Sequence, residues 1–435
     1  MKKYEKLTAA AEYALDALKN AGADKAVVTA FNGSTTEFNI DGGEFSLMRT
    51  IFNEGVGVTA YVGGRNGGAS TNALDRESID GAARDAVAAA QSAVPDDAWD
   101  ISPACEPRDF PSGVLECDRD ALFSAVRQLK NDVAERWPNI LVEQLVASYH
   151  YGASVKLNSN GVRFTGESGR YEVYLMFSAH DGDKASSFFG SGVVFTDPTK
   201  PLIEMGSIAS DLDAVSKQTD PKSVSGKFEG TLVLTPAMFG EFIGLAAGNF
   251  ASGGVIIEGT SPWKDKLGRQ VADPRLNVRF APLDPAIVCA ERVTEDLFVS
   301  EDFDFIKDGV LQCFLLSLYA SNKTGFDRAK NSSWALVVPE GDTPLEELIA
   351  GVDRGLLLGR FSGGQPGTNG DFSGVAKNSF LIENGKITDA VSEIMINGNL
   401  ADMLFRLRGI SKERVADGAC LLPYAAFDGV TISGK

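Results

Sequence analysis

GRFSGGQPGTNGDFSGVAKNSFLIENGKITDAVSEIMINGN, residues 359–399, decides how the rest of the chain is read. Its first part is dense in glycine, with Gly363, Gly364, Gly367 and Gly370 close together. Glycine enters left-handed backbone conformations without steric cost, so residues 359–374 are expected to open on a loop. Asn384-Gly385 then separates two apolar runs, 380–382 and 386–387. That pair is the strongest short-range signal for a two-residue turn whose twist suits paired strands. A further strand is expected over 391–396, broken at Asn397-Gly398-Asn399.

Working outward, the chain of 435 residues is too long for one ordinary core, and two domains are the default expectation. Hydrophobic residues make up 44% and charged residues 23%, the balance of a soluble globular protein. No run of 18 apolar residues is present, which argues against a membrane span, and the acidic residues in the first twenty positions are unlike a signal peptide. A cytoplasmic location is expected. Five cysteines without a CxxC pair suggest reduced thiols, with neither a disulfide framework nor a zinc knuckle. The net charge of −18 repels a phosphate backbone, so direct nucleic-acid binding is not expected.

Residues 4–21 carry apolar residues at helical spacing and stop at Gly22. Four short strands are expected over 26–31, 35–40, 45–52 and 55–61, with turns at Asp41-Gly42 and Asn53-Glu54-Gly55. Residues 63–71 read as a loop, and the alanine-rich stretch 75–91 as a helix. Gly55, Gly57, Gly63 and Gly64 read as tight turns, because no Lys-Ser/Thr or G-x-G-x-x-G joins them to a helix N-terminus. Four prolines between 95 and 113 suggest a linker. A helix is expected over 118–137, capped by Asp118 and ended by Pro138, then a strand meander over 141–194 and a helical stretch over 198–216. Helices with a mostly antiparallel sheet give an α+β class.

Residues 226–234 read as a strand, and Thr235-Pro236 as the cap and first turn of a helix, TPAMFGEFIGLAAGNF. In it Gly240, Gly244 and Gly248 recur every fourth residue and share one face. Glycine costs a helix roughly 1 kcal/mol against alanine, so a second backbone packed against that face is expected. Strands are expected within 288–299, around Asp308-Gly309 and over 332–338, and a helix over 343–354 with Thr343 as its cap. A short helix over 400–407 and a closing strand over 424–432 complete a mainly antiparallel C-terminal part. No GxSxG is present, and two histidines, His150 and His180, leave little for a triad or a metal site.

The order DFSG (371–374), LIENGKI (381–387), Glu393-Ile394 and Gly398-Asn399 before a helix resembles the C-terminal signature of the TldD/PmbA family, proteins labelled modulators of DNA gyrase. Ala69-Ser70-Thr71 ahead of a helix, and segments 303–320 and 343–358, also resemble it. The resemblance is strongest over 343–404 and weakest over 95–217 and 261–287. It implies an N-terminal α/β domain, residues 1–217, with a mixed, mostly antiparallel sheet, and a C-terminal mainly antiparallel β domain, residues 218–435. Zinc-bearing members carry HExxxH on the helix described above; here Gly244, Leu245 and Asn249 stand where His, Glu and His would be. Cys420 lies outside the CGK context of those members.

The chain therefore resembles the PmbA (TldE) branch, and the resemblance implies no cofactor in this chain, with zinc expected only in a TldD-like partner. Three readings stay open. One is a non-catalytic subunit of a metallopeptidase complex that processes unfolded, extended peptides, as a heterodimer with the zinc subunit. Another is a self-pairing, homodimeric module that binds peptides or a toxin-antitoxin protein without hydrolysis. The third is an enzyme of unrecognised chemistry. Gly240, Gly244, Gly248, Gly363 and Gly364 are the candidate peptide or partner contacts. The 363–370 loop itself is read either as a structural turn or as such a contact.

Overall fold

In the computed structural model, which describes residues 2–434, helices pack on two mostly antiparallel sheets, one in each half of the chain. The fold is α+β, as the sequence pattern predicts. No described helix is long and apolar enough to cross a membrane.

The first sheet is built on a long hairpin, Lys25–Asp41 with Glu44–Val62, paired from Lys25 opposite Tyr61 to Asp41 opposite Glu44. The four short strands expected there are two continuous ones. Gly55 makes no turn: a Cβ on it would lie 2.6 Å from the Thr71 carbonyl, so the glycine serves close approach of the neighbouring strand. That neighbour, Arg65–Thr71, occupies a stretch read as loop. Gly67 within it lets the helix Arg76–Ser92 rest on the strand, since a Cβ there would overlap the backbone of Ala86 and Ala90. The helix is capped as expected, Asp75 accepting from the Ser78 amide.

Ile140–Asn158, Arg163–Asp181 and Phe189–Phe195 extend the sheet in the expected meander. Arg108–Gly113, inside the supposed linker, adds a parallel edge strand to Arg163–Asp181. Pro111 is tolerated at that edge, where no partner needs its missing N–H. Helices cover one face along most of the central strand Ile140–Asn158 and leave residues 44–52 of the hairpin exposed. Along Ile140–Asn158, Leu145, Ala147 and Tyr149 pack with the helix Arg119–Arg136, while Ala153, Val155 and Leu157 pack with Lys2–Asn20 and Arg76–Ser92. All six have odd numbers and so point the same way. The opposite face is polar and meets segment 288–299 from the second half through Val162, Phe164, Val293 and Leu297.

In the second half, Leu421–Ser433 lies near the middle of a 13-stranded sheet. It pairs antiparallel with Lys227–Leu234, Leu407–Ala416 and Ile394–Asn399, and parallel with Leu336–Val337. Leu232 and Leu234 face the core around the helix Pro236–Ala246, and Val233 faces a smaller core under Leu345–Ala350. The latter helix is shorter than expected. Pro344 rather than Thr343 caps it, and Arg354–Leu358 becomes a strand parallel to Lys227–Leu234. Segment 288–299 holds one isolated bridge, Val293 with Val299, where strands were expected. The strand Ile394–Asn399 runs through the supposed break and ends as Asn399 caps the helix Leu400–Leu404.

The halves meet along a polar and aromatic seam. The Trp99 and Tyr319 rings stack with centroids 3.9 Å apart, Lys323 pairs with Asp96 at 2.6 Å, and the Val194 amide donates to the Asp417 carbonyl. At the same seam Asp211, on the helix Ile208–Ser216, accepts hydroxyl hydrogen bonds from Ser191 and Ser207. Although the residue keeps some exposed surface, its carboxyl group is enclosed, and that burial pushes its pKa up to about 6. The folded carboxyl therefore holds its proton more tightly than the unfolded one. Its contribution to stability is full below about pH 4 and is lost as pH rises through 6, a change of up to about 3 kcal/mol. Asp211→Asn is expected to raise the thermal midpoint at pH 7 and to converge with the parent near pH 4, in melts followed by circular dichroism.

Candidate functional site

Thr235 and Pro236 start the helix at the end of the interior strand Lys227–Leu234, as their order predicts. The α-helix Pro236–Ala246 continues as a π-helical turn, Ala247–Ala251, and such turns concentrate at functional sites. Over this turn lies the 363–370 loop. Asn249 Nδ2 donates to the Pro366 carbonyl at 2.8 Å, and Gln365 Nε2 to Glu241 Oε1 at 3.1 Å. The Phe250 ring packs under Gly370. Within the loop, the Ser373 amide donates to the Gly364 carbonyl and the Gly370 amide to the Gly367 carbonyl. Asn399 Nδ2 closes its far end onto the Asn369 carbonyl. Helix and loop thus form one unit.

The three helical glycines do not meet a second backbone as expected. A Cβ on Gly240 would come 2.7 Å from the Leu422 side chain, and one on Gly244 2.6 Å from the Trp334 indole. Gly248 is exposed and has nothing near it. The wider π turn ends the four-residue stripe, so the glycines serve separate purposes. Gly363 and Gly364 are both exposed at positive φ, 69° and 54°, but Gly364 lies tight against the Ser373 carbonyl. Glycine spacing brought Gly244 to notice and the family resemblance Asn249; Trp334, ninety positions further on, gave no signal.

Residues 226–434 match the model of the PmbA/TldA metallopeptidase C-terminal domain, and residues 27–90 that of PmbA/TldA metallopeptidase domain 1. The chain belongs to the TldD/PmbA family. A metalloprotease of Methanocaldococcus jannaschii is 25% identical, over 66% of this chain and 67% of that protein. A metalloprotease PmbA homolog of Haemophilus influenzae is also 25% identical, over 99% of this chain and 97% of its own. The crystal structure of TldE from Thermococcus kodakarensis superimposes with a TM-score of 0.83 at 20% identity, over 98% of this chain and 100% of that one. At that identity the likeness speaks for the fold.

A zinc ion of the metallopeptidase type does not fit the residues present. Gly244 offers no ligand, Leu245 no carboxylate, and the Asn249 amide is committed to Pro366. The Trp334 ring occupies the space into which a side chain at position 244 would project. Burial pushes the Cys420 thiol up to about 12, which raises the cost of forming the thiolate that zinc binds. Among the described residues no group of three or more His, Cys, Asp or Glu is placed to hold a metal.

One serine–histidine pair also forms. Ser178 Oγ lies 2.9 Å from His180 Nε2 and donates to Glu143 at 2.6 Å. In a triad the imidazole stands between hydroxyl and carboxylate. Here the serine occupies the middle and gives its proton to the acid, so the imidazole does not activate it.

Proposed function

We propose that this chain is a metal-free, non-catalytic, PmbA/TldE-like subunit of a TldD/PmbA-type metallopeptidase complex. It pairs with a zinc-bearing TldD-like chain in the cytoplasm, and together they enclose a chamber in which unfolded peptides are cut. The observation that carries this reading is Gly244 beneath Trp334: the helix that bears HExxxH in zinc-holding members presents no ligand and has its open face filled by an indole. The chain's part is then to shape the chamber and to admit extended substrates. The charge of −18 disfavours nucleic acid as a ligand.

Residues 44–55 of the long hairpin support a contact role. They pair with Lys25–Asp41 on one side, and Arg65–Thr71 reaches only residues 56–62 on the other, leaving an unpaired edge beside exposed Met48 and Phe52. Such an edge can receive an extended segment through main-chain hydrogen bonds, with little dependence on sequence. A second copy of this chain could use the same edge, which keeps the self-pairing module as the second reading.

The test is zinc analysis with a peptidase assay on the purified chain, alone and mixed with a TldD-like protein. Activity is expected in the mixture and not in the chain alone. Chelator-insensitive hydrolysis by the chain alone would sink the proposal, and inactivity of the mixture with a stable homodimer would favour the second reading.

A further inference from the structure

Where the polar face of the first sheet meets segment 288–293, the chain forms a cleft of about 500 Å³, within the range of small-ligand sites. Strand register lays out its floor row by row. Thr35, His150 and Arg170 lie side by side across three strands; the next row is Gly33, Gly152 and Ser168, and the next Phe31, Ser154 and Gly166. Large side chains thus flank a floor of glycine and serine. Gly152 is not forced by crowding within the chain, since a Cβ on it would meet only Ser168 Oγ, at 4.0 Å. Glycine inside a strand weakens it and marks places where another group approaches closely. The room above Gly152 is open for a ligand.

The charges agree. Lys156, Arg170 and Arg292 line the cleft, and none of their side chains makes a hydrogen bond or ion pair among the described residues. Arg170 Nε is, in addition, buried without a partner. The carboxylates of the lining are Glu291 and Glu167. Glu167 stands opposite Ala153 and so turns to the helix-covered face, where it accepts from the Tyr151 hydroxyl at 2.8 Å. Glu172, further along the same strand, lies 3.6 Å from His150. Unpaired cations gathered in one cleft of a chain with net charge −18 call for an anion from outside. The surplus is small, matching a single carboxylate better than a doubly charged phosphate. A guanidinium meets a carboxylate with two parallel hydrogen bonds.

We propose that this cleft binds the C-terminal carboxylate of a short extended peptide, with Arg170 holding the carboxylate and the chain lying over Gly152. The assignment rests on the cleft alone and does not depend on a zinc-bearing partner. Calorimetric titration of the purified chain with N-acetyl-trialanine, its C-terminal amide and acetate tests it. The acid is expected to bind at least about tenfold tighter than the amide or acetate, the scale of a charge-assisted hydrogen-bonded pair. Arg170→Gln should bring the acid down to the level of the amide and leave the amide unchanged. Gly152→Val, whose Cβ would meet only Ser168 Oγ at 4.0 Å and whose methyl groups add bulk at the floor, should remove binding of both while thermal melts show the fold intact. Equal binding of acid and amide, binding of acetate as tight as that of the peptide, no binding of the acid, or indifference to both substitutions would overturn the proposal.

Discussion

Gly364→Ala is expected to destabilise the protein by about 3–5 kcal/mol, whereas Gly363→Ala, one residue earlier, should cost only about 1–2 kcal/mol. Both glycines are exposed, and surface changes to alanine usually matter little. The difference lies in what a methyl group would meet. Gly363 has open space and incurs only the penalty of its left-handed backbone. At Gly364 the methyl would overlap the Ser373 carbonyl and the backbone beyond it, where the Ser373 amide already donates to Gly364. Relief requires parting the two ends of the loop. Urea unfolding of the two variants side by side measures the contrast, and equal midpoints would show that the loop gives way freely.

Phe242→Ala should cost about 3–5 kcal/mol, the usual range for emptying a buried aromatic site. Its side chain is 1% exposed and meets the Phe361 and Phe372 rings edge-on, at 5.5 and 5.6 Å between centroids. Those two phenylalanines stand at either end of the 363–370 loop, so the cavity opens beneath the loop as well as beside the helix. Amide exchange should therefore quicken at residues 363–374 beyond the global loss of stability. Phe242→Leu, which keeps most of the volume, should cost less than about 1.5 kcal/mol. A shift in the melt without selective exchange in the loop would separate loop order from this ring.

What the sequence made legible was local chemistry. Asn384-Gly385 is the turn it was read to be, with φ of 49° and 74° at its two residues. Asp75 and Asp118 cap their helices, and Thr235-Pro236 starts the third. These signals act through neighbours in the chain. Glycines were harder to read, because the same residue serves a turn at Gly63 and a close strand approach at Gly55, and only the partner strand distinguishes them. The helix over 343–354 stops at Ala350, and Arg354–Leu358 instead finds a strand partner in Lys227–Leu234, more than a hundred residues earlier. The family resemblance pointed to Gly244, Leu245 and Asn249 as the positions of HExxxH, but Trp334 above Gly244 and Pro366 against Asn249 gave no sign in the sequence. The cleft at Arg170 was invisible for the same reason, since its rows exist only once three strands are in register.

The central place of Leu421–Ser433 bears on how the protein is made. By residue 195 every strand of the first sheet has been synthesised, whereas the second sheet lacks a middle strand until residue 433 has been added. At roughly 5–20 residues per second, synthesis from Leu234 to Ser433 takes on the order of 10–40 s, during which Lys227–Leu234 and its neighbours wait on the ribosome with an apolar edge uncovered. The nascent second half is thus the part most in need of a chaperone's shelter, while the first can already be folded.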